Sequence, residues 1–224
     1  MSTETLPSTS KKTRILELNT SRALSKLLRH KAPERAVSYD KHGGVAQTTL
    51  LSLPEFNLPE INWDFIEKIV SNCSKKRFKI YTDSEGTLRI CANQGHSFSV
   101  EPFATKITLS NIDELEINKN TIVHGSYHKS LASILKDGLS RMSRTHIHFG
   151  INVPESEEVI SGMRKSCEVM IFIDILLAIK DGYEFILTDN RVILTEGNES
   201  GYLPIKYITT IIDRKSGAKI YPRK

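Results

Sequence analysis

Five consecutive apolar residues, Val169-Met170-Ile171-Phe172-Ile173, constrain the fold more than any other stretch of the chain. A strand with one wet face alternates apolar and polar residues. An unbroken run does not, so both of its faces must be covered. The reading for Glu168 to Ile175 is therefore a central strand in a sheet packed on each side. The neighbouring sequence supplies partners: Thr121 to His124, His146 to Phe149, Glu184 to Leu187, Arg191 to Thr195 and Tyr207 to Ile212 all read as short strands. The spacing predicts helices over Lys129 to Lys136, closed by Gly138, and over Val153 to Met163. This region is mixed α+β, with many strands and few helices.

The preceding residues follow a different period. Residues 1–19 are rich in Ser, Thr and Lys and read as a flexible tail with no secretory signal. Thr20 or Ser21 can cap a helix in which Ala23, Leu24, Leu27 and Leu28 share one face. Arg22, Lys26 and Arg29 fall on the other, with His30 at the seam. A short helix over Gln47 to Leu53 ends at Pro54, and Asn62 can cap a third over Trp63 to Asn72. Arg77 to Tyr81 and Thr87 to Ala92 then form a hairpin around Asp83-Ser84-Glu85-Gly86. Helices followed by a hairpin suggest a winged-helix-like unit, a common nucleic-acid-binding arrangement. The expected organisation is a tail (1–19), a winged-helix-like lobe (20–102) and a second lobe (103–224).

Charge agrees with that division. The chain carries a net +5, and residues 11–41 alone hold nine basic and three acidic residues. Such a patch favours a polyanion, or serves only as a solvated surface. No apolar run is long enough for a membrane span. Three scattered cysteines without a C-x-x-C pair argue against a disulfide framework or a structural zinc, and for a reducing, intracellular compartment, cytoplasm or nucleus. The general signatures of dinucleotide folds, phosphate loops, zinc proteases and serine hydrolases are missing, so those motifs alone give no cofactor.

Six segments carry what chemistry there is, and each has a bland alternative. Leu27-Leu28-Arg29-His30 can grip a phosphate and move a proton, or be a surface arginine beside a half-buried histidine. Lys75-Lys76-Arg77-Phe78 offers cations at the base of the wing, or complements a helix C-terminus. Gln94-Gly95-His96-Ser97 allows close backbone approach to a ligand, or is an ordinary interdomain turn. His124-Gly125-Ser126 places a histidine, emerging from an apolar strand into a glycine turn, for a sugar hydroxyl, or in the core. In Met142-Ser143-Arg144-Thr145-His146-Ile147-His148 the two histidines share a strand face, but no third ligand is nearby, so no metal is expected. Ser161-Gly162-Met163-Arg164-Lys165-Ser166 serves an anion or caps a helix.

Taken in order, these strings resemble the tRNA 2′-phosphotransferase family: Ser25 to His30, Arg77-Phe78, Gln94 to Ser97, His124-Gly125, Met142 to His148 and Gly162 to Lys165. The resemblance covers about residues 21 to 212. Ser126 stands where the family usually has Thr, which preserves the hydroxyl. Cys91 stands where a basic residue is frequent. The resemblance implies a winged-helix RNA lobe and an NAD lobe with the ADP-ribosyltransferase fold. It implies Arg29, His30, Arg77 and Arg144 as catalytic residues, and His124, Gly125, Ser126, His146 and Arg164 as NAD-holding ones. No metal is implied. The partners would be NAD, as co-substrate, and 2′-phosphorylated tRNA, handled by a monomer. In the implied reaction the RNA 2′-phosphate displaces nicotinamide from NAD. The ribose 2′′-hydroxyl then attacks phosphorus, giving 2′-OH RNA and ADP-ribose 1′′,2′′-cyclic phosphate. Two alternatives stand beside it: ADP-ribosylation of terminal phosphates on RNA or DNA, and a non-enzymatic winged-helix nucleic-acid-binding protein.

Overall fold

The first helix begins earlier than its apolar stripe. In the computed structural model, which describes residues 11–151, 163 and 166–222, helix α1 spans Lys11–Lys26. Residues 11–19, read from sequence as part of a tail, are therefore helical, and residues 1–10 lie outside the described residues. The correction has a physical cause. A helix anchored by the buried Leu24 extends at low cost through strong formers such as Lys, Arg, Leu and Glu. Glu17 also meets Lys68 at 3.2 Å.

The chain divides into two compact units. One holds the described residues up to Cys73 together with Phe78–Ala92, and the other holds Ser74–Arg77 together with the described residues from Asn93 onward.

In the first unit α1 runs into a π-helical turn, Leu27–Lys31, where the Ala32 N–H reaches back five residues to the Leu27 carbonyl at 3.0 Å. β1 (Val45–Ala46), α2 (Gln47–Ser52), α3 (Trp63–Ser71), β2 (Phe78–Thr82) and β3 (Leu88–Ala92) come next in the chain. The strands form an antiparallel sheet in the order β1-β3-β2, with Ile90 opposite both Val45 and Ile80. Leu24, Leu27, Leu28, Leu50, Phe56 and Ile66 are fully buried. Asn62 caps α3, its side-chain oxygen accepting the Phe65 N–H at 2.9 Å. Replacing Asn62 by Ala is expected to lower stability by about 1 kcal/mol, read as a shifted urea midpoint at unchanged slope.

The second unit is built on one large antiparallel sheet. Its strands are β4 (Ala104–Ile107), β5 (Val123–Ser126), β6 (Leu139–Ser140), β7 (Ile147–Gly150), β8 (Val169–Ile173), β9 (Phe185–Thr188), β10 (Val192–Thr195), β11 (Tyr202–Leu203), β12 (Ile208–Asp213) and β13 (Lys219–Tyr221). Eight of them pair in the order β13-β12-β8-β5-β7-β10-β9-β4, while β11 and β6 pair separately. Helix α4 (Leu131–Asp137) precedes β6, and α5 (Ile175–Lys180) comes after β8.

β8 lies inside the sheet and is covered on both faces, as its composition demands. Val169, Ile171 and Ile173 join the main core with Phe149, Phe185 and Ile211. Met170 and Phe172 pack on the other side against Val123, Met163 and Cys167. The strand stops at Ile173 because Asp174 turns its carboxylate onto the Leu177 N–H at 2.9 Å and caps α5. The helix expected over Val153 to Met163 lies outside the described residues except for Met163. Among the described residues no helix is long and apolar enough to cross a membrane.

Candidate active site

In the first unit Arg29 and His30 both lie inside the π-helical turn. The extra residue in that turn changes the direction in which its side chains point. On an unbroken helix Arg29 would share an exposed face with Arg22 and Lys26. In the structure Arg22 and Lys26 are exposed, while Arg29 and His30 are half-buried and Arg29 Nε is shut off from solvent. Such turns are rare and frequently mark functional positions. They are invisible to a 3.6-residue period.

In the second unit β5 carries His124, Gly125 and Ser126. The His124 Nδ1–H donates to the His148 carbonyl at 2.9 Å, which fixes the proton on Nδ1 and leaves Nε2 as an acceptor. Burial pulls the His124 pKa below its ordinary 6.5. The bond to His148 opposes that shift, and the positive charge of Arg144 adds to it. His124 is therefore neutral in the fold at pH values where an unfolded histidine already binds a proton. Its contribution to stability is complete above 6.5 and declines as the pH falls below that value. A ¹⁵N titration should show the His124 ring neutral when solvent-exposed histidines are half protonated, and a midpoint at or above 6.5 would contradict the arrangement.

Gly125 lies within β5, not in a turn as its sequence context suggested. A Cβ there would come within 2.3 Å of Met163 Cγ and 3.0 Å of Cys167 Cβ, so the glycine admits close packing over the strand. Ser126 is buried, and its carbonyl accepts the Glu168 N–H at 2.8 Å.

His146 and His148, expected on one strand face, have different surroundings. His148 is in β7 and buried, and its main-chain oxygen is what serves His124. His146 precedes the strand and bonds Thr145 Oγ1 at 2.8 Å. It borders a cleft of about 730 Å³ whose walls include Glu101, Asp181, Glu184, Glu196 and Glu199. Burial lowers the His146 pKa, and Glu196 opposes that.

The Gln94-Gly95-His96 segment is not an exposed turn. All three residues are buried, His96 to 2% exposure. The His96 carbonyl accepts the Thr145 N–H at 3.1 Å and Thr145 Oγ1 at 3.4 Å. At its other end the Asn93 N–H donates to the Arg77 carbonyl at 2.9 Å. One buried segment thus joins the stretch bearing Arg77 to the stretch bearing Arg144, whose charge is felt by His124. Asn93 escaped the sequence reading because it is not ionisable, and its only signal was adjacency to the Gln94 string; Thr145 lay inside the Met142 to His148 string but was given no role. Gly162 and Arg164 lie outside the described residues. Among the described residues no three His, Cys, Asp or Glu side chains gather as a metal site requires.

Fold and candidate residues together define a class: an α+β protein whose second unit seats a buried histidine on a large antiparallel sheet, within reach of the charge of an arginine. Comparison with known proteins gives the particular family. Residues 16–197 match the model described as RNA 2′-phosphotransferase, Tpt1 / KptA family. The tRNA 2′-phosphotransferase 1 of Danio rerio is 37% identical over 195 residues, covering 86% of this chain and 84% of that protein. That of Mus musculus is 40% identical over 188 residues, 84% of this chain and 73% of its own length. A probable RNA 2′-phosphotransferase of Fusobacterium nucleatum is 30% identical over 188 residues, 84% of this chain and 94% of that protein. The chain belongs to the RNA 2′-phosphotransferase, Tpt1 / KptA family.

Proposed function

We propose that the protein moves the splice-junction 2′-phosphate of tRNA onto NAD, releasing nicotinamide, 2′-OH RNA and ADP-ribose 1′′,2′′-cyclic phosphate. The first unit, with its order of helix, strand, two helices and hairpin, acts as a winged-helix RNA lobe. The second acts as an ADP-ribosyltransferase-like lobe for NAD. The observation that carries this reading is the linkage of Arg77 to Arg144 through a single buried segment, beside a histidine held neutral, in a chain of this family.

The roles follow from the family resemblance and from the charge and hydrogen-bonding capacity of the residues. Arg29, Arg77 and Arg144 each offer paired N–H donors to the phosphate oxygens. An oxygen of the 2′-phosphate forms a bond to the anomeric carbon of the nicotinamide ribose, whose bond to nicotinamide breaks. His124, as a neutral acceptor at Nε2, holds a ribose hydroxyl, with Ser126 and His146 also on the NAD side and Arg164 assisting. The ribose 2′′-oxygen then attacks phosphorus. The arginines stabilise the negative charge at this step, and His30 returns a proton to the departing RNA 2′-oxygen.

The test is incubation of the protein, an intracellular monomer in this reading, with NAD and a 2′-phosphorylated oligonucleotide. Nicotinamide and the cyclic phosphate should appear in equal amounts. A stable ADP-ribosylated RNA with no cyclic phosphate would instead make the enzyme an ADP-ribosyltransferase on RNA phosphates. RNA binding indifferent to both NAD and the 2′-phosphate would make it a binding protein.

A further inference from the structure

Three successive carbonyls lead up to the Arg77 side chain, and each is held by a buried asparagine. The Lys75 carbonyl accepts from Asn190 Nδ2 at 3.2 Å, the Lys76 carbonyl from Asn93 Nδ2 at 2.6 Å, and the Arg77 carbonyl from the Asn93 N–H at 2.9 Å. Asn93 and Asn190 are 8% and 4% exposed. Asn190 sits in the turn between β9 and β10. Its amide orientation is fixed, because the Lys75 carbonyl can only accept and so faces Nδ2, which turns Oδ1 toward Thr188 Oγ1 at 2.8 Å; that hydroxyl also accepts the Val192 N–H at 3.1 Å. Lys76 has φ +43°, a left-handed conformation that a lysine adopts only under constraint. Lys75 is anchored as well, its Nζ donating to the Met163 carbonyl at 3.0 Å. A surface connection between a helix and a strand needs none of this. The backbone before Arg77 is clamped so that its guanidinium projects from a fixed origin.

Resting on the reading of Arg77 as a phosphate ligand, we propose that Asn93 and Asn190 are positioning residues for Arg77, acting through the main chain of residues 75–77. Neither touches the phosphate. A misplacement of about 1 Å in such a group costs on the order of a hundredfold in rate.

A double-mutant cycle on the purified full chain tests this. Turnover of NAD and a 2′-phosphorylated oligonucleotide is measured for Asn190→Ala, Arg77→Ala and the pair, with Asn93→Ala replacing Asn190→Ala in the same cycle should that variant fold poorly. Asn190→Ala should lower kcat by roughly tenfold to a hundredfold, accumulate the ADP-ribosylated RNA, and leave the KM for NAD within about twofold. Joined to Arg77→Ala it should add almost nothing, because the group it positions is already gone. Multiplying losses, or equal slowing of both chemical steps, would overturn the proposal and make the asparagines merely structural. Failure of the underlying reading looks different: the unaltered protein would not turn the substrate over at all.

Discussion

Arg144→Ala is expected to lower overall phosphate transfer by two to three orders of magnitude while ADP-ribosylated RNA builds up, because the two chemical steps make opposite demands on a cation. In the first step of the proposed reaction positive charge would develop on the ribose as nicotinamide leaves, and a guanidinium there would give little help. In the second step negative charge grows on the phosphoryl oxygens, and each guanidinium neutralises part of it. Removing one donor pair therefore raises the second barrier far more than the first. His30→Ala should show the same accumulation by another route, since the departing 2′-oxygen loses its proton source. Arg22→Ala is the control: Arg22 is exposed on the same helix, seven residues before Arg29, and should turn over normally. A labelled 2′-phosphorylated oligonucleotide resolves substrate, intermediate and product. Normal rates for Arg144→Ala and His30→Ala would remove both residues from the mechanism.

Legibility in the sequence was confined to whatever depends on neighbours along the chain. Val169 to Ile173 announced a doubly covered strand through composition alone, and Asn62 announced its helix by capping chemistry. The failures have a common cause in tertiary context. Ile175 to Lys180 is too short and too apolar for a 3.6-residue period to stand out, so α5 went unread and only its first residue, Ile175, was assigned, to the strand before it. Residues 11–19 hold no strong stripe and are helical because the helix behind them is. At the site, the residue types of His124 and Arg144 stood out. The proton position on His124 did not, because the carbonyl that sets it belongs to residue 148 on another strand. Nor did Asn93 and Asn190, whose amide groups hold main-chain carbonyls that leave no trace in residue type.

The second large effect falls on stability, at the glycine that closes α4. Gly138 was legible as a helix stop, and its N–H does bond the Ile134 carbonyl at 2.9 Å. Its conformation is not the usual left-handed cap: φ is +93° and ψ is −165°, a region open essentially to glycine alone. The reason is immediate, since β6 begins at Leu139 and pairs with β11, so the chain must pass from helix to strand within one residue. A Cβ at 138 would lie 2.2 Å from the Leu203 carbonyl oxygen and 2.7 Å from Pro204 Cα, both main-chain atoms that no rotamer change can move. Gly138→Ala should therefore combine backbone strain with overpacking, about 4 kcal/mol together. Gly217→Ala separates the two contributions. It too has positive φ, +70°, but open space around the added methyl, so about 1 kcal/mol is expected. Urea unfolding of both variants reads the difference directly. Equal losses would mean that the approach of Leu203 and Pro204 to Gly138 contributes nothing, and that the passage from α4 into β6 is held by backbone conformation alone.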